Sequence, residues 1–251
     1  NGDVLWTQTY PGAGDEYGME LALALDGGFI LLKAAQTAAN PGTFETVLMK
    51  TNTVGNLEWE LNLNAGSSNE PTDMAVATDG SYLIAGINHD SGHDVFLVKV
   101  DPSGGTIWRR DLLMPGRGFL NPSVIEDGNG DIVTAAGFTD SLTLETDLLL
   151  IKNAPNGDPI WEVNLGRPAR AEVATDLALR PDGGYMIGGS VEINPGDSPS
   201  ALLRFIAMTG NNFAAAATHT QAVIAQQLLA PKDRRSKRVL IQEVMRPRQN
   251  P

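Results

Sequence analysis

Short apolar segments run along this chain with a period of two, and turn-forming residues interrupt them at intervals of about eight to twelve positions. Strands alternate their side chains at this period, so the pattern predicts β-structure and argues against helices. Each repeat begins with a hairpin whose turn is Asp-Gly or a close variant, because glycine accepts the positive φ that a tight turn imposes. These first hairpins span Leu21–Leu32, Met74–Gly86, Ser123–Gly137 and Leu177–Gly189.

A second hairpin follows each of these, and an aromatic landmark stands near the start of its last strand. The landmarks are Trp59, Trp108, Trp161 and, in a degenerate copy, Phe213, with Trp6 as the same landmark lacking its preceding hairpin. Positions 6, 59, 108, 161 and 213 lie 53, 49, 53 and 52 residues apart. Repeats of about fifty residues built from short strands are typical of propeller blades. We therefore expect an all-β fold, a β-propeller of four complete four-stranded blade repeats.

The two chain ends leave alternatives open. We expect one propeller domain, 1–218, followed by a basic tail, 219–251, with blade repeats at about 18–63, 71–112, 122–165 and 174–218. The orphan strand 4–10 could form a fifth blade with 222–230 and 238–245, and this alternative is favoured. It could instead displace the strand around Phe213 and close four blades, which would leave the tail free. Either way, an unpaired strand and a detached tail could complete a neighbouring subunit.

Charge is distributed unevenly along the chain. Residues 1–213 carry 28 acidic and 11 basic side chains, a balance of −17, whereas residues 214–251 carry 2 and 7, a balance of +5. An acidic body repels phosphates, which argues against a nucleic acid partner. There is no cysteine, and no apolar run is long enough for a membrane span. Asn1 fits either a trimmed chain or a mature chain whose signal peptide has been removed. On the second interpretation we expect a secreted, extracellular or cell-surface protein.

Three stretches of the first repeat carry a family resemblance: Leu5–Gly18, Asp26–Ile30 and Val47–Trp59. They resemble secreted repeat proteins of Bacteroidetes-type bacteria, whose unit looks like LWTKTYGGSGDDYG…DGGYIIAG…LIKTDxxGxxxW. The resemblance covers residues 3–213 and implies exported β-propeller blades, often without catalytic activity. The third and fourth repeats depart from it, because they lack the Gly-Asp-Asp-Tyr-Gly loop.

Two polar clusters are weak candidates for metal ligands, although we expect no metal. His89, His93 and Asp94 combine imidazole and carboxylate groups, but they lie in a hairpin connection, where histidines are usually solvated.

The second cluster, Asp127, Asn129 and Asp131, imitates the opening of a calcium loop. The bidentate Glu that such a loop needs is missing, because Phe138 stands at its position. A structural Asp-Gly turn, lengthened by about one residue, is the preferred interpretation.

Cationic side chains recur at one strand position of every repeat, as Lys50, Lys99, Lys152 and Arg204. A ring of four cations could hold an anionic ligand. The preferred interpretation is a repeated contact with an Asp or Glu of the same blade.

The chain has no nucleophile elbow and no His-Glu-x-x-His motif, so we expect no enzyme and no cofactor. Our hypothesis is a non-enzymatic, exported structural or adhesive protein that self-assembles into a filament or surface layer by terminal strand or tail exchange. Its partners would be further copies of the chain, and a glycan or a surface. The alternative is a propeller lectin or small-ligand-binding module. The residues expected at the assembly contact are Trp6, Thr7, Tyr10, Arg234, Arg235, Lys237, Arg238, Val239 and Ile241.

Overall fold

The structure is a computed structural model. It describes residues 3–12, 14–36, 42–63, 68–90, 92–112, 117–140, 146–165, 172–191, 202–208 and 223–228. Within these ranges there are sixteen strands and no helix. Contacts divide the chain into two compact units, residues 1–115 and 116–251, here called unit 1 and unit 2.

The strands form four antiparallel sheets of four strands each, and every sheet takes its strands in chain order. Blade 1 contains β1 (Glu16–Leu23), β2 (Phe29–Gln36), β3 (Phe44–Thr51) and β4 (Leu57–Asn62). Blade 2 contains β5 (Asn69–Val76), β6 (Tyr82–Asn88), β7 (Asp94–Val100) and β8 (Thr106–Leu112). Blade 3 contains β9 (Arg117–Glu126), β10 (Ile132–Asp140), β11 (Thr146–Asn153) and β12 (Pro159–Asn164). Blade 4 contains β13 (Glu172–Leu179), β14 (Tyr185–Val191), β15 (Leu202–Met208) and β16 (Val223–Leu228). The predicted fold class, all-β with four four-stranded blade repeats, is confirmed.

The first turn of each blade has one conformation, which explains the repeated glycine. In blade 1 the Ala24 N–H donates to the Gly28 carbonyl at 2.9 Å, and Gly27 has a φ of 84°. In blade 3 the Asp127 N–H donates to the Asp131 carbonyl at 2.8 Å. Both turns close over the same number of residues, so the predicted lengthening of the blade 3 turn is wrong. Asp127 occupies the position of Ala24, and not that of Asp26.

The repeated lysine and the repeated tryptophan are cross-strand partners. Lys50 pairs with Trp59, Lys99 with Trp108 and Lys152 with Trp161. A bulge follows each of these pairs and adds one residue to the outermost strand. Partners in an antiparallel pair share one face of the sheet, so the lysine and the indole point towards the same side of their blade.

Trp59 packs against the following blade, as its predicted role as a blade landmark requires. A Cβ placed on Gly104 would lie 3.1 Å from the Trp59 indole, and the Trp59 Nε1–H donates to the Pro102 carbonyl at 3.2 Å. Its ring centroid lies 6.0 Å from that of Tyr82. In unit 2, Trp161 approaches Tyr185 in the same way, at 6.4 Å. Phe213 lies outside the described residues.

The N-terminal segment differs from the prediction. Residues 4–10 were expected to form a strand, but no strand is present in residues 3–12. Side-chain contacts hold the segment against blade 1 instead. Trp6 lies against Gly55, and its ring centroid is 5.7 Å from that of Phe29 in an edge-to-face arrangement. The Tyr10 hydroxyl donates to the Gly55 carbonyl at 2.6 Å. Trp6 therefore contacts the turn between β3 and β4 of blade 1, just as Trp59 contacts the turn between β7 and β8 of blade 2. This agrees with the identification of Trp6 as the same landmark.

The last strand of blade 4 also differs from the prediction. We expected it around Phe213, with residues 222–230 available for a fifth blade. Instead β16 pairs antiparallel with β15, from Leu202 opposite Leu228 to Ala207 opposite Val223. The apolar segment 223–228 therefore completes the fourth sheet, and the expected pairing of 222–230 with the orphan strand is wrong. Residues 234–241 of the predicted assembly contact lie outside the described part of the chain.

Two apolar cores lie where neighbouring blades face each other. The core of unit 1 joins blades 1 and 2 around residues that are almost fully buried: Ile30, Leu32, Leu48, Tyr82, Ile84 and Phe96. The core of unit 2 joins blades 3 and 4 in the same manner, around Val133, Ala135, Leu150, Leu177, Tyr185 and Ile187.

In the part of the chain that the structure describes, no helix is long and apolar enough to cross a membrane.

Candidate functional site

A cavity of about 260 Å³ opens between blades 1 and 2 of unit 1. Its lining is Tyr17, Met19, Ala34, Phe44 and Glu70. Tyr17 stands opposite Ala34 across β1 and β2, and a bulge in β1 follows between Gly18 and Glu20. The small Ala34 side chain leaves room beside Tyr17, and the bulge turns Met19 out of the regular alternation. The cavity therefore arises from the local register of these two strands.

Aromatic surface dominates one wall of this cavity. The rings of Tyr17 and Phe44 meet edge to face, with centroids 5.7 Å apart and planes inclined by 68°. Tyr17 nevertheless remains 53% exposed. An aromatic side chain that is fixed at its edge and still accessible offers a rigid apolar platform with a polar hydroxyl at its tip. Such a wall suits a ligand with both apolar and hydrogen-bonding groups.

The lining residue Glu70 contacts an imidazole, that of His89, which is not itself part of the lining. The His89 Nε2 atom lies 3.0 Å from Glu70 Oε2, within hydrogen-bonding distance. The His93 ring meets that of His89 edge on, with centroids 4.8 Å apart, and His93 has a φ of 70°, in the left-handed region. Glu70 and His89 are both accessible, with side-chain exposures of 44% and 30%. Such a pair can accept or donate a proton next to a bound ligand.

The first predicted metal cluster is only partly assembled. His89 and His93 are neighbours, but His89 has Glu70 as its partner. Asp94, the third candidate, is 6% exposed. Among the residues that the structure describes, no group of three or more His, Cys, Asp or Glu is placed to hold a metal ion.

The second predicted metal cluster is a turn whose two carboxylates bind a lysine. Asp127 accepts from the backbone N–H of Asn129 at 2.8 Å, as expected for a structural turn. Its Oδ2 atom lies 2.6 Å from Lys152 Nζ, and Asp131 lies 2.8 Å from the same ammonium. The ammonium occupies the place that a cation would need.

The recurring cations contact acidic residues of their own blades. Lys50 lies 2.7 Å from both Asp26 and Glu58, and Lys99 lies 3.0 Å from Asp79. Together with Lys152 these pairs confirm the preferred interpretation for three repeats, while the side chain of Arg204 lies outside the described part. These lysines therefore have their charge compensated within the fold.

The charges of these pairs shift the pKa values of their members. For Asp79, burial raises the pKa, but hydrogen bonds from Ser81 and the ion pair with Lys99 outweigh it and lower the pKa to about 2. For Lys50, burial alone would lower the pKa, but the bonds to Asp26 and Glu58 raise it. Opposite charges thus hold both partners ionised.

The corresponding ion pair of unit 2 is more deeply buried and includes a phenol. The Tyr185 hydroxyl donates to Asp127 Oδ2 at 2.8 Å. Burial, followed by this hydrogen bond to a carboxylate, raises the pKa of Tyr185 to about 12. Burial also raises the pKa of Asp127, but the bonds from Lys152, Asn129 and Tyr185 lower it in sum. This buried cluster stabilises the junction between blades 3 and 4.

Sequence reasoning did not identify the cavity residues. Tyr17 was noticed only as a part of the repeat motif, and Met19, Phe44 and Glu70 carried no signal. The one available hint is that Tyr17 precedes a glycine in the first repeat, in a loop that the third and fourth repeats lack. Of the predicted assembly residues, Trp6 and Tyr10 contact blade 1, and Thr7 is exposed.

The sequence matches no protein-family model and no curated protein. Several solved structures share its fold. An ulvan lyase from a new family of polysaccharide lyases, solved bound to -[GlcA(1-4)Rha3S]-, has a TM-score of 0.51 and 11% identity, over 82% of this chain and 58% of the lyase. A protein of unknown function from Dyadobacter fermentans has a TM-score of 0.54 and 13% identity, over 81% and 62% of the two chains. An endo-arabinase from Bacteroides thetaiotaomicron has a TM-score of 0.47 and 9% identity, over 76% and 74%.

These comparisons place the chain among β-propeller-like all-β repeat folds, and it spans less than two thirds of the length of the lyase. They contradict the predicted function of a non-enzymatic, self-assembling structural protein, because the lyase with this fold is a glycan-processing enzyme. At 11% identity the likeness shows the fold alone. The lack of a local catalytic motif is not evidence against an enzyme, since such folds can assemble sites from loops and strands far apart in sequence.

Proposed function

We propose that this protein is a carbohydrate-active β-propeller protein that binds a glycan chain at the cavity between blades 1 and 2 and acts on it there. The observation that carries the proposal is that the exposed Tyr17 and Glu70 line one open cavity, with His89 lying 3.0 Å from Glu70 behind the lining. The presence of a polysaccharide lyase among proteins with this fold supports it.

The cavity has the two kinds of surface that a sugar ring needs. A pyranose or furanose presents C–H groups on its faces and hydroxyls around its rim. The Tyr17 ring can cover the C–H groups, with the apolar side chains of Met19 and Phe44 beside it. The Glu70 carboxylate accepts hydrogen bonds only, so it would bind sugar hydroxyls as donors.

Glu70 and His89 are also the groups that can move a proton. Their 3.0 Å separation lets one orient the other, as in sites where an imidazole and a carboxylate share a catalytic task. In this proposal the glycosidic linkage is hydrolysed: the pair accepts a proton from the attacking water, whose oxygen bonds to the anomeric carbon, and gives a proton to the departing glycosidic oxygen. Because polysaccharides are met mainly outside the cell, the proposal includes the predicted extracellular location.

The test is a panel of polysaccharides incubated with the full chain. Binding would be measured by affinity electrophoresis, and cleavage by the appearance of new reducing ends. We expect Tyr17→Ala to weaken binding about tenfold, or about 1.4 kcal/mol. We expect Glu70→Gln to abolish cleavage while binding persists.

The matched control is Leu57→Ala, because Leu57 is 49% exposed and lies on β4 of the same blade, outside the cavity lining. It should leave both binding and cleavage unchanged. The proposal fails if no polysaccharide binds, or if Tyr17→Ala and Leu57→Ala have equal effects.

A further inference from the structure

Unit 1, which contains the cavity, is strongly acidic. Residues 1–115 carry 15 Asp and Glu against 5 Lys and Arg, a balance of −10. At physiological ionic strength, charges act over roughly 8 Å, so the charges of unit 1 that lie near the cavity act on a ligand there. The binding of an anionic ligand therefore depends on whether unit 1 has a cation that is free to pair with it.

All five cations of unit 1 belong to the described residues, and each has a partner. Lys33 lies 2.7 Å from Glu16 and 3.6 Å from Glu60. Lys50 and Lys99 are held by the carboxylates of their own blades, as described above. The remaining two are Arg109, 2.9 Å from Asp111, and Arg110, which donates to the Arg109 carbonyl and has a further interaction.

Among the described residues that line the cavity, none is positively charged. Glu70 is the one carboxylate of this lining, and Tyr17, Met19, Ala34 and Phe44 carry no charge at neutral pH. The β1 strand that carries Tyr17 also carries Glu16 and Glu20. His89 could become a cation only by protonation, and it already has Glu70 as its partner. A uronate or a sulfate ester would therefore enter the cavity beside a carboxylate and without a free counter-charge from unit 1, which is unfavourable for binding.

We infer that the cavity selects glycans whose polar groups are hydrogen-bond donors, namely hydroxyl or ammonium groups, and rejects uronates and sulfated sugars, with Glu70 as the residue that sets this preference. The inference rests on the proposed function and narrows its substrate class. It separates this protein from the ulvan lyase of similar fold, which was solved with a glycan containing glucuronate and a sulfated sugar.

The experiment titrates the full chain with three probes: a neutral arabinan or galactan oligosaccharide, a chitosan oligosaccharide, and an anionic oligosaccharide of ulvan or polygalacturonate. Calorimetry at low and at high salt gives the affinities. We expect the neutral probe to bind with little salt dependence and the chitosan probe to bind more tightly at low salt. The anionic probe should bind at least tenfold more weakly than either.

Two variants test Glu70 itself. Glu70→Gln should reduce the preference for chitosan over the anionic probe at least tenfold, and Glu70→Lys should reverse it. Asp3→Asn is the control for net charge, because Asp3 is exposed and lies outside the cavity lining. Circular dichroism checks that each variant folds, and Glu70→Gln keeps the test valid if Glu70→Lys does not fold.

Tyr17-dependent binding of the anionic probe, as tight as that of the neutral probe, would overturn the inference and leave the proposed function in place. Equal effects of Glu70→Gln and Asp3→Asn would also overturn it, since the preference would then follow net charge and not Glu70. If none of the probes binds, the proposed function itself fails, and the inference falls with it.

Discussion

The junction between blades 1 and 2 and the junction between blades 3 and 4 use the same three parts in different ways. Each has a lysine on the third strand, an acidic residue in the first turn, and a tyrosine from the following blade. In unit 1 these are Lys50, Asp26 and Tyr82, and the Asp26 side chain is 59% exposed. In unit 2 the Asp127 side chain, which serves Lys152, is only 3% exposed.

The cause of this difference is the position of the acidic residue within the turn. The first turn position is buried in blades 1 to 3, where Ala24 is 3% exposed, Ala77 1% and Asp127 4%. In blade 4 this position is held by Arg180, which is half-buried. A carboxylate at this position lies beneath the turn, within reach of Lys152 and the Tyr185 hydroxyl. A carboxylate two positions later, as in Asp26, reaches the lysine from the solvent side. A shift of two residues thus converts an exposed ion pair into a buried network.

The largest expected effect separates the two carboxylates. We expect Asp127→Asn to destabilise unit 2 by roughly 3 kcal/mol, because Lys152 loses one of its two counter-charges in a buried site. Asp26→Asn should cost at most about 1 kcal/mol, since exposed pairs contribute little and Lys50 keeps Glu58. Hydrogen exchange, resolved by peptide, would measure β11 for the first variant and β3 for the second. Equal losses in the two units would contradict the comparison.

The next effect appears at alkaline pH. The Tyr185 phenol keeps its proton up to a pKa of about 12 in the folded protein. An unfolded tyrosine loses its proton near about 10. Because folding raises the pKa of Tyr185, its protonated hydroxyl stabilises the folded state fully below about pH 10. This contribution, in total about 2–3 kcal/mol, is lost as the pH rises to about 12.

This pH effect can be isolated by comparing the native protein with Tyr185→Phe between pH 9 and pH 12, a range chosen around the pKa of about 12. In the variant, unit 2 should not show this part of the loss of stability at alkaline pH. Its ultraviolet titration should lack the phenol that ionises near pH 12 in the native protein. If the two proteins lose stability in parallel over this range, Tyr185 does not ionise as described.

At neutral pH the two tyrosines should differ by a smaller amount. Tyr185→Phe removes a hydrogen bond to a charged acceptor and should cost about 1.5–2 kcal/mol. Tyr82 packs against Trp59, and Tyr82→Phe keeps the ring, so its cost should stay below about 1 kcal/mol. Thermal or urea unfolding followed by tryptophan fluorescence would compare them. A cost for Tyr82→Phe as large as that for Tyr185→Phe would show that the hydroxyls have the same role.

Most of the blade architecture was predictable because its determinants are local. Alternating apolar residues and Asp-Gly turns fix each hairpin, and the Lys50–Trp59 spacing follows from one hairpin alone. The strand β16 was missed because residues 209–222 separate it from β15, and the alanine-rich segment after Phe213 offered a second candidate of similar composition. Local patterns do not decide between two such strands.

The candidate site was not predictable for a related reason. Tyr17 and Glu70 belong to different blades and meet only when blades 1 and 2 pack together. The role of Asp127 depends on which position of the turn it occupies. A glycine follows it, as one follows Asp26, but its backbone hydrogen bond places it at the position of Ala24. Sequence patterns identify such turns but do not place their side chains relative to the next blade.

The smallest expected effect is the response of the two ion pairs to salt. The screening length falls from about 10 Å at 0.1 M to about 3 Å at 1 M ionic strength, and screening acts mainly on exposed charges. The destabilisation by Asp26→Asn should therefore fall towards zero in 1 M salt, a concentration about tenfold above the 0.1 M reference. Asp127→Asn should keep most of its effect, because its 3% exposed carboxylate is shielded from the solvent. Hydrogen exchange of β3 and β11 at both salt concentrations measures this, with Asp3→Asn as the control. A proportional reduction in both units would mean that burial does not distinguish the two pairs.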